Sequence, residues 1–385
     1  MIERLKSTLT GMLEDKPHLF SPHTVVMSEH DMQRMEQASH VISRVLQHPD
    51  MVAEIMPQRP DIAAYDAGNL SAMIGYDFHI TPEGPKLIEI NTNAGGLMTS
   101  TLWRLRHHEA ALKQVIDAMV AMFQREYEDW FGIAGADIHH IAIVDRNPDA
   151  EFTLDDFVLT KIAFEASGII VSICATHELT SQGQHLYAPN QELPIDLVYN
   201  RSCDFYFEEK ESSVLKQAYM NHEVCVTPNP YGYGLLSDKR TLVALYQQVV
   251  SEHSILTEDE RQILQQVLLP TYLLADDVAR FSAEKSQWFF KHVNLHAGQE
   301  AFRGNKLSRK LLEQFVPEDF IVQKIAKPGV LSTDAGAYKY DMRVFTHQDV
   351  TIEISARLYQ GRITNFRTEG GGYGNIHIQQ QDEYI

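Results

Sequence analysis

The chain runs to 385 residues, with 44% apolar and 22% charged side chains, the balance of a globular enzyme with room for two or three packed lobes. Its 33 Lys and Arg against 52 Asp and Glu leave a net charge of −19, which repels polyphosphate backbones and anionic lipid, so nucleic-acid and general membrane binding are disfavoured. Any phosphate ligand must then be met by a local cluster of cations, and three scattered cysteines (Cys174, Cys203 and Cys225) argue against a disulfide scaffold or a zinc site.

The start, MIERLKSTLTGMLEDK, has no apolar signal core and no run approaches the ~18 residues of a membrane span, so a cytoplasmic protein is expected. Residues 1–60 are rich in Met, Glu and Gln at helical spacing, as in DMQRMEQASHVISRVLQ. Strand signals follow in GYDFHI (75–80) and KLIEIN (86–91), joined by TPEGP (81–85), whose Pro and Gly mark a hairpin. Alternation places Leu87, Glu89 and Asn91 on one face and Ile88 and Ile90 on the other, with Glu89 and Asn91 about 6–7 Å apart along the strand. Pairing symmetric about Glu83 sets Asp77 opposite Glu89 and Gly75 opposite Asn91. Carboxylates directly across a sheet have Cβ atoms about 5 Å apart and repel, so a positive charge between them is expected. Two carboxylates and an amide oxygen are hard donors of the kind Mg²⁺ takes at about 2.0–2.1 Å while keeping waters and phosphates. The pattern reads as a Mg–nucleotide site, against the plainer reading of an exposed hairpin face with solvated acids.

A helix-like stretch over 101–131 is broken by GIAGAD (132–137), the first boundary. Adjacent histidines on a helix point in different directions, so His107-His108 and His139-His140 read as surface or interface residues. From Ile138 the order is HIAIVD, the helical TLDDFVLTKIAFEASG, IIVSICA and PIDLVYNR, a parallel βαβ pattern. Ligands of such sheets bind beyond the carboxyl ends of strands, where Arg146 and Arg201 fall. An arginine there suits a substrate carboxylate or, equally, an ion pair with Asp204 or Glu208.

A third section begins near LLSDKRTLVALYQQ and holds the strand QWFFKHV, the loop NLHAGQEAFRGNKLS, the strand FIVQKI, the strands YDMRVFT, VTIEISARLY and RITNFRT, and then EGGGYGNI. Lys291 ends an aromatic strand just before the loop, where an ammonium can hold phosphates while Gly298 and Gly304 let backbone N–H groups approach. A lone lysine there also reads as a surface residue. Neither GQEAFRGNK nor EGGGYG fits a P-loop or a dinucleotide fingerprint.

Taken together, GYDFHITPEGPKLIEINTNAGG resembles the metal motif of ATP-grasp enzymes, and WFFKHVNLHAGQEAFRG and FIVQKIAKPG resemble their nucleotide-binding lid. In most of that superfamily the metal motif comes last; here it comes first, which resembles a circularly permuted member. IEINTNAGGL, IVQKIAKPG and NFRTEGGGYG are similar to stretches of eukaryotic-type glutathione synthetase, and glutathionylspermidine synthetase-like ligases share the plan.

The resemblance implies an α/β (α+β) fold in three parts. A helical N-terminus, metal-site hairpin and long helix fill 1–135; a Rossmann-like parallel-sheet substrate domain is inserted over 136–232; the lid and nucleotide-binding subdomain, with its Gly-rich loop, fills 233–385. ATP and Mg²⁺ are the implied cofactors. Asp77, Glu89 and Asn91 match the metal ligands, Lys239, Lys291 and Gly298 the phosphate side, and Gln323, Lys324 and Ile325 the adenine strand. Arg343, facing the transferring phosphate, and Arg367, near the acceptor carboxylate, are the implied catalytic residues, with Arg201, Arg367, Gly371 and Gly372 on the substrate.

The implied activity joins a small-molecule carboxylate, an amino acid or peptide, to an amine through an acyl-phosphate. A phosphotransferase on the same scaffold, or a regulatory nucleotide binder with a decayed site, are the alternatives. The N-terminal helices and the 101–131 helix are expected to pack internally or to form a homodimer face. One departure stands out: where many members carry an arginine two residues before the metal-site Asp, this chain has Gly75.

Overall fold

The computed structural model describes residues 1–294 and 301–380. After a first helix, Ile2–Asp15, comes β1 (Phe20–Ser28), whose final serine caps the helix Glu29–Leu46 by accepting from the Asp31 N–H at 3.1 Å. The hairpin follows as β2 (Ile74–Thr81) and β3 (Gly84–Asn91). The middle of the chain supplies β4 (His140–Asp145), β5 (Ile170–Ala175), β6 (Leu197–Asn200) and β7 (Cys225–Thr227). The remainder supplies β8 (Thr271–Leu273), β9 (Trp288–His292), β10 (Ala301–Arg303), β11 (Phe320–Lys324), β12 (Gly329–Thr333), β13 (Gly336–His347), β14 (Val350–Tyr359) and β15 (Gly372–Gln379).

The largest sheet has the order β1-β15-β14-β13-β2-β3, with β12 on the same edge of β13 as β2. Its β1–β15 pair is parallel and joins strands from opposite ends of the chain. As the alternating pattern predicts, β5-β4-β6-β7 is an all-parallel sheet. Every residue of β4 is buried, as befits a strand covered on both faces. A third, antiparallel sheet, β8-β11-β9-β10, abuts the hairpin. The fold is therefore mixed α/β, with parallel and antiparallel sheets. Tyr76, Phe78, Leu87, Ile90, Met342 and Val344 share one core with Met35 and Ile42 of the Glu29–Leu46 helix. Phe345, alternating to the other face of β13, joins a second core with Leu5, Leu112, Phe123 and Ile143.

Four expectations are corrected. Within the region expected to be helical throughout, Phe20–Ser28 is a strand, because its partner is the distant β15. The expected single helix over 101–131 is two, Leu97–Arg104 and Glu109–Phe131, since His108 between them takes a non-helical backbone conformation. RITNFRT is a loop: the Asn365 amide donates to the carbonyls of Gln360 (2.8 Å) and Ile363 (3.1 Å) and accepts from the Arg367 N–H, replacing ladder bonds with local ones. His140 is no surface residue but fully buried on β4, its ring bonded to the Leu193 carbonyl and the Ser172 hydroxyl.

Candidate functional site

The hairpin makes the floor of the site. Asp77 pairs with Glu89 and Gly75 with Asn91, as symmetric pairing predicts, but the register shifts just beyond, so that Phe78 faces Leu87. The extra residue is Ile88, a β-bulge. It corrects the expectation that Leu87 shares the Glu89 face: Leu87 and Ile90 turn together into the core, and Glu89 and Asn91 stay on the opposite face. The Asn91 amide lies between the two carboxylates, donating to Asp77 Oδ2 and Glu89 Oε1 at 3.2 Å each.

The positive charge expected between the acids comes from the neighbouring strands. Arg343, directly across from Asp77 on β13, grips it with two bonds, Nε to Oδ1 and a terminal N–H to Oδ2, both 2.6 Å. Arg357 on β14 reaches Asp77 Oδ2 at 3.0 Å and Asp341 Oδ1 at 2.6 Å. Burial alone pushes the Asp77 carboxyl up, but the two guanidiniums outweigh it and hold the carboxyl well below the usual carboxylate range. Arg357 and Asp341 escaped the sequence reading; the available signal was a charge in each of two otherwise apolar strands.

The third sheet supplies the opposing wall. Lys291, only 5% exposed, donates to the carbonyl of the bulge residue Ile88 and to the Gln323 side chain, both at 2.8 Å. Burial pushes its ammonium down to about 8, with Glu89 pulling up and Lys239 pushing down. Burial lowers Lys239 as well, against the pull of Glu89 and Asp238. Lys239 opens the helix Arg240–Val250, and Asp238 just before it is held by Arg240 (2.5 Å) and Arg59 (3.5 Å). On β11, Lys324 bonds Gln287 through its ammonium at 2.5 Å, and the Ile325 N–H bonds the Gln287 carbonyl at 3.1 Å. His79, two residues along from Asp77, ties the hairpin to this strand's continuation through the Ala326 carbonyl at 2.9 Å.

At the end of β6, Arg201 is buried and donates to the Ala94 carbonyl and the Tyr199 hydroxyl, both at 3.3 Å. It forms no ion pair with Asp204, whose carboxylate instead accepts from Ser212 and the backbone N–H groups of Glu208 and Glu209. Its Nε is buried and has no partner among the described residues. Arg201 and Arg343 reach the same segment, through Ala94 and Gly95 respectively, so both belong to this cleft. Arg146 is exposed and paired with Glu209 at 3.3 Å.

Arg367 does not join the cluster: its side chain is exposed on the Asn365-knitted loop, beside a cleft of about 420 Å³ lined also by His18 and Glu369. Gly371 and Gly372 are buried, and a Cβ would lie 2.7 Å from the Leu358 carbonyl at the first and 2.3 Å from Leu19 at the second; close packing explains both glycines. Gly298 lies outside the described residues. The largest concavity, about 690 Å³ beside Tyr246 and Arg261, is remote in kind from this chemistry, since Arg261 there already caps backbone carbonyls.

Among the described residues no group of three His, Cys, Asp or Glu is arranged around one metal position. Around the hairpin, the carboxylates of Asp77, Glu89 and Asp341 face the cations Arg343, Arg357, Lys239 and Lys291. Such a cleft suits a polyanion, and the half-buried Glu89 and Asn91 suit a cation that arrives with it.

The likeness of the whole fold is to glutathione synthetase-like proteins. A glutathione synthetase like-effector from Globodera pallida, in its apo form, matches 98% of this chain and 97% of its own with a TM-score of 0.57 at 12% identity. A protein provisionally named a gamma-glutamylcysteine synthetase, from Methylobacillus flagellatus, matches 88% of this chain and 87% of its own with a TM-score of 0.51 at 11% identity. At that identity the likeness is one of fold. No protein-family model and no curated protein sequence matches the chain.

Proposed function

We propose that the chain is an ATP-dependent carboxylate–amine ligase on a circularly permuted ATP-grasp fold, acting on a small amino-acid or peptide substrate. The observation that carries the reading is the convergence of Lys291 and Lys239, from a separate sheet and helix, on the Glu89–Asn91 face of the hairpin. Two buried ammoniums whose charge is sustained by a carboxylate have a clear use if triphosphate enters between them. A synthetase-like fold is in keeping with it.

In this reading Lys239 and Lys291 hold the nucleotide phosphates, and the strand Gln323–Ile325 meets adenine. Glu89 and Asn91 hold Mg²⁺, which when bound screens the phosphate charge. Arg343 and Arg357 face the phosphoryl group as it moves to the substrate carboxylate, which Arg201 orients from the end of β6. The amine then displaces phosphate from the acyl-phosphate and the amide forms. No protein nucleophile is needed, because positioning and electrostatic stabilisation do the work. The engagement of Asp77 by arginines favours a second reading, a nucleotide-binding regulatory protein without turnover.

The test is phosphate release from Mg–ATP over a matrix of amino acids, short peptides and amines. Release that needs both an acid and an amine supports the ligase; release with the acceptor alone supports a phosphotransferase; binding without release under every mixture supports the regulatory reading.

A further inference from the structure

Asp77 has no lone pair left. Its Oδ1 accepts from Arg343 Nε, and its Oδ2 accepts from Arg343, Arg357 and Asn91. A carboxylate offers about four acceptor positions, so these four donors fill it. The arginines are not filled. Arg343 spends one further N–H on the Gly95 carbonyl, and Arg357 one on Asp341, so two and three of their five donors respectively remain.

Gly75 makes this arrangement sterically available. A Cβ at that position would lie 2.5 Å from the Ala94 Cβ and 3.3 Å from both Cδ and Nε of Arg343. The space that any side chain at 75 would need is therefore taken by the arginine of the adjacent strand. Glu89, by contrast, is half-buried and has the Asn91 amide as its one hydrogen-bond partner among the described residues.

We infer that Asp77 is a positioning residue that aims Arg343 and Arg357 at the nucleotide phosphates, and that Glu89 with Asn91, without Asp77, supplies the protein's donors to the cation. The inference rests on the proposed nucleotide site and reassigns one of its residues. Asp77 thus acts through the arginines, and its contribution to binding is independent of metal.

The experiment is calorimetric titration of a non-hydrolysable ATP analogue into wild type, Asp77→Asn, Glu89→Gln and Arg343→Gln, at a series of Mg²⁺ concentrations and in EDTA. The expected result for Glu89→Gln is a rise of about tenfold in the half-saturating Mg²⁺ concentration with affinity in EDTA retained, whereas Asp77→Asn loses about tenfold in EDTA and keeps its Mg²⁺ requirement within about twofold. Asp77→Asn raising the Mg²⁺ requirement as Glu89→Gln does overturns the assignment. Should Asp77→Asn fail to fold, Arg343→Gln decides. It frees both Asp77 oxygens, so a metal-ligand Asp77 predicts a lower Mg²⁺ requirement, while a positioning Asp77 predicts an unchanged requirement and the EDTA loss. Wild type that binds no nucleotide in any condition overturns the parent reading, and this assignment with it.

Discussion

At the scale of single residues, the site is a set of charges whose burial is compensated only collectively. Lys291 carries the sharpest consequence. Its ammonium, with a pKa brought down to about 8 by burial, is charged at neutral pH but sheds its proton well below the 10.5 of a free lysine. Phosphate stabilises the charged form, so a bound nucleotide raises that pKa. Binding then takes up a proton above pH 8, and affinity falls as pH rises through 8, by at most about tenfold per unit. Titrations of an ATP analogue at pH 7, 8 and 9 should show this fall in wild type and a flat, weaker profile in Lys291→Gln. Parallel profiles would remove Lys291 from the phosphate site. The Asp77–Glu89 pairing was legible because both residues sit near one tight turn, where counting outward from Glu83 suffices. The partners of Asp77 were not, since Arg343 and Arg357 lie on strands more than 260 residues away in sequence, and no local pattern fixes which of their neighbours they face.

Elements show where one residue changes a face. The bulge at Ile88 sends Leu87 into the core beside Ile90 and offers its own carbonyl to Lys291, so one irregularity both orients Glu89 and ties the hairpin to the third sheet. Leu87→Ala should accordingly cost about 2–5 kcal/mol in denaturant unfolding, as a core truncation does. A cost under about 0.5 kcal/mol would return Leu87 to the surface and contradict the bulge. Strict alternation cannot register an inserted residue, which is why the sequence placed Leu87 with Glu89. The parallel sheet was read correctly because its apolar strands and the intervening helix, Leu154–Ala166, follow one another along the chain. The loop over 360–371 was read as a strand because Arg, Ile and Thr favour extended backbone, but Asn365 offers that backbone nearer partners.

For the molecule as a whole, the ends of the chain close the largest sheet. β1 and β15 pair in parallel, with Val25 opposite Ile376 and Met27 opposite Ile378. Removing residues 372–385 leaves β1 and β14 without their shared neighbour, and the truncated protein should lose its cooperative thermal transition by circular dichroism. A truncated chain that still melts cooperatively near the wild-type midpoint would show that this closure is dispensable. Such long-range pairing carries no signature in a local window, so the strand inside the helical N-terminus went unread. The three-part plan was legible all the same, because hairpin, parallel sheet and lysine-bearing strand each announce themselves locally. The net charge of −19 belongs to this scale too: against it, four cations gathered at one cleft mark the place where an anion is admitted.

The most direct test of that claim is the thermal midpoint of wild type and Glu89→Gln with and without Mg–ATP. A nucleotide that binds only the folded state, at 100 times its dissociation constant, adds about 2.7 kcal/mol and a clearly measurable upward shift. The account predicts that shift in wild type and its loss or strong reduction in Glu89→Gln at the same Mg²⁺ concentration. An unshifted wild type at millimolar Mg–ATP would contradict it, leaving the cleft a structural network of ion pairs.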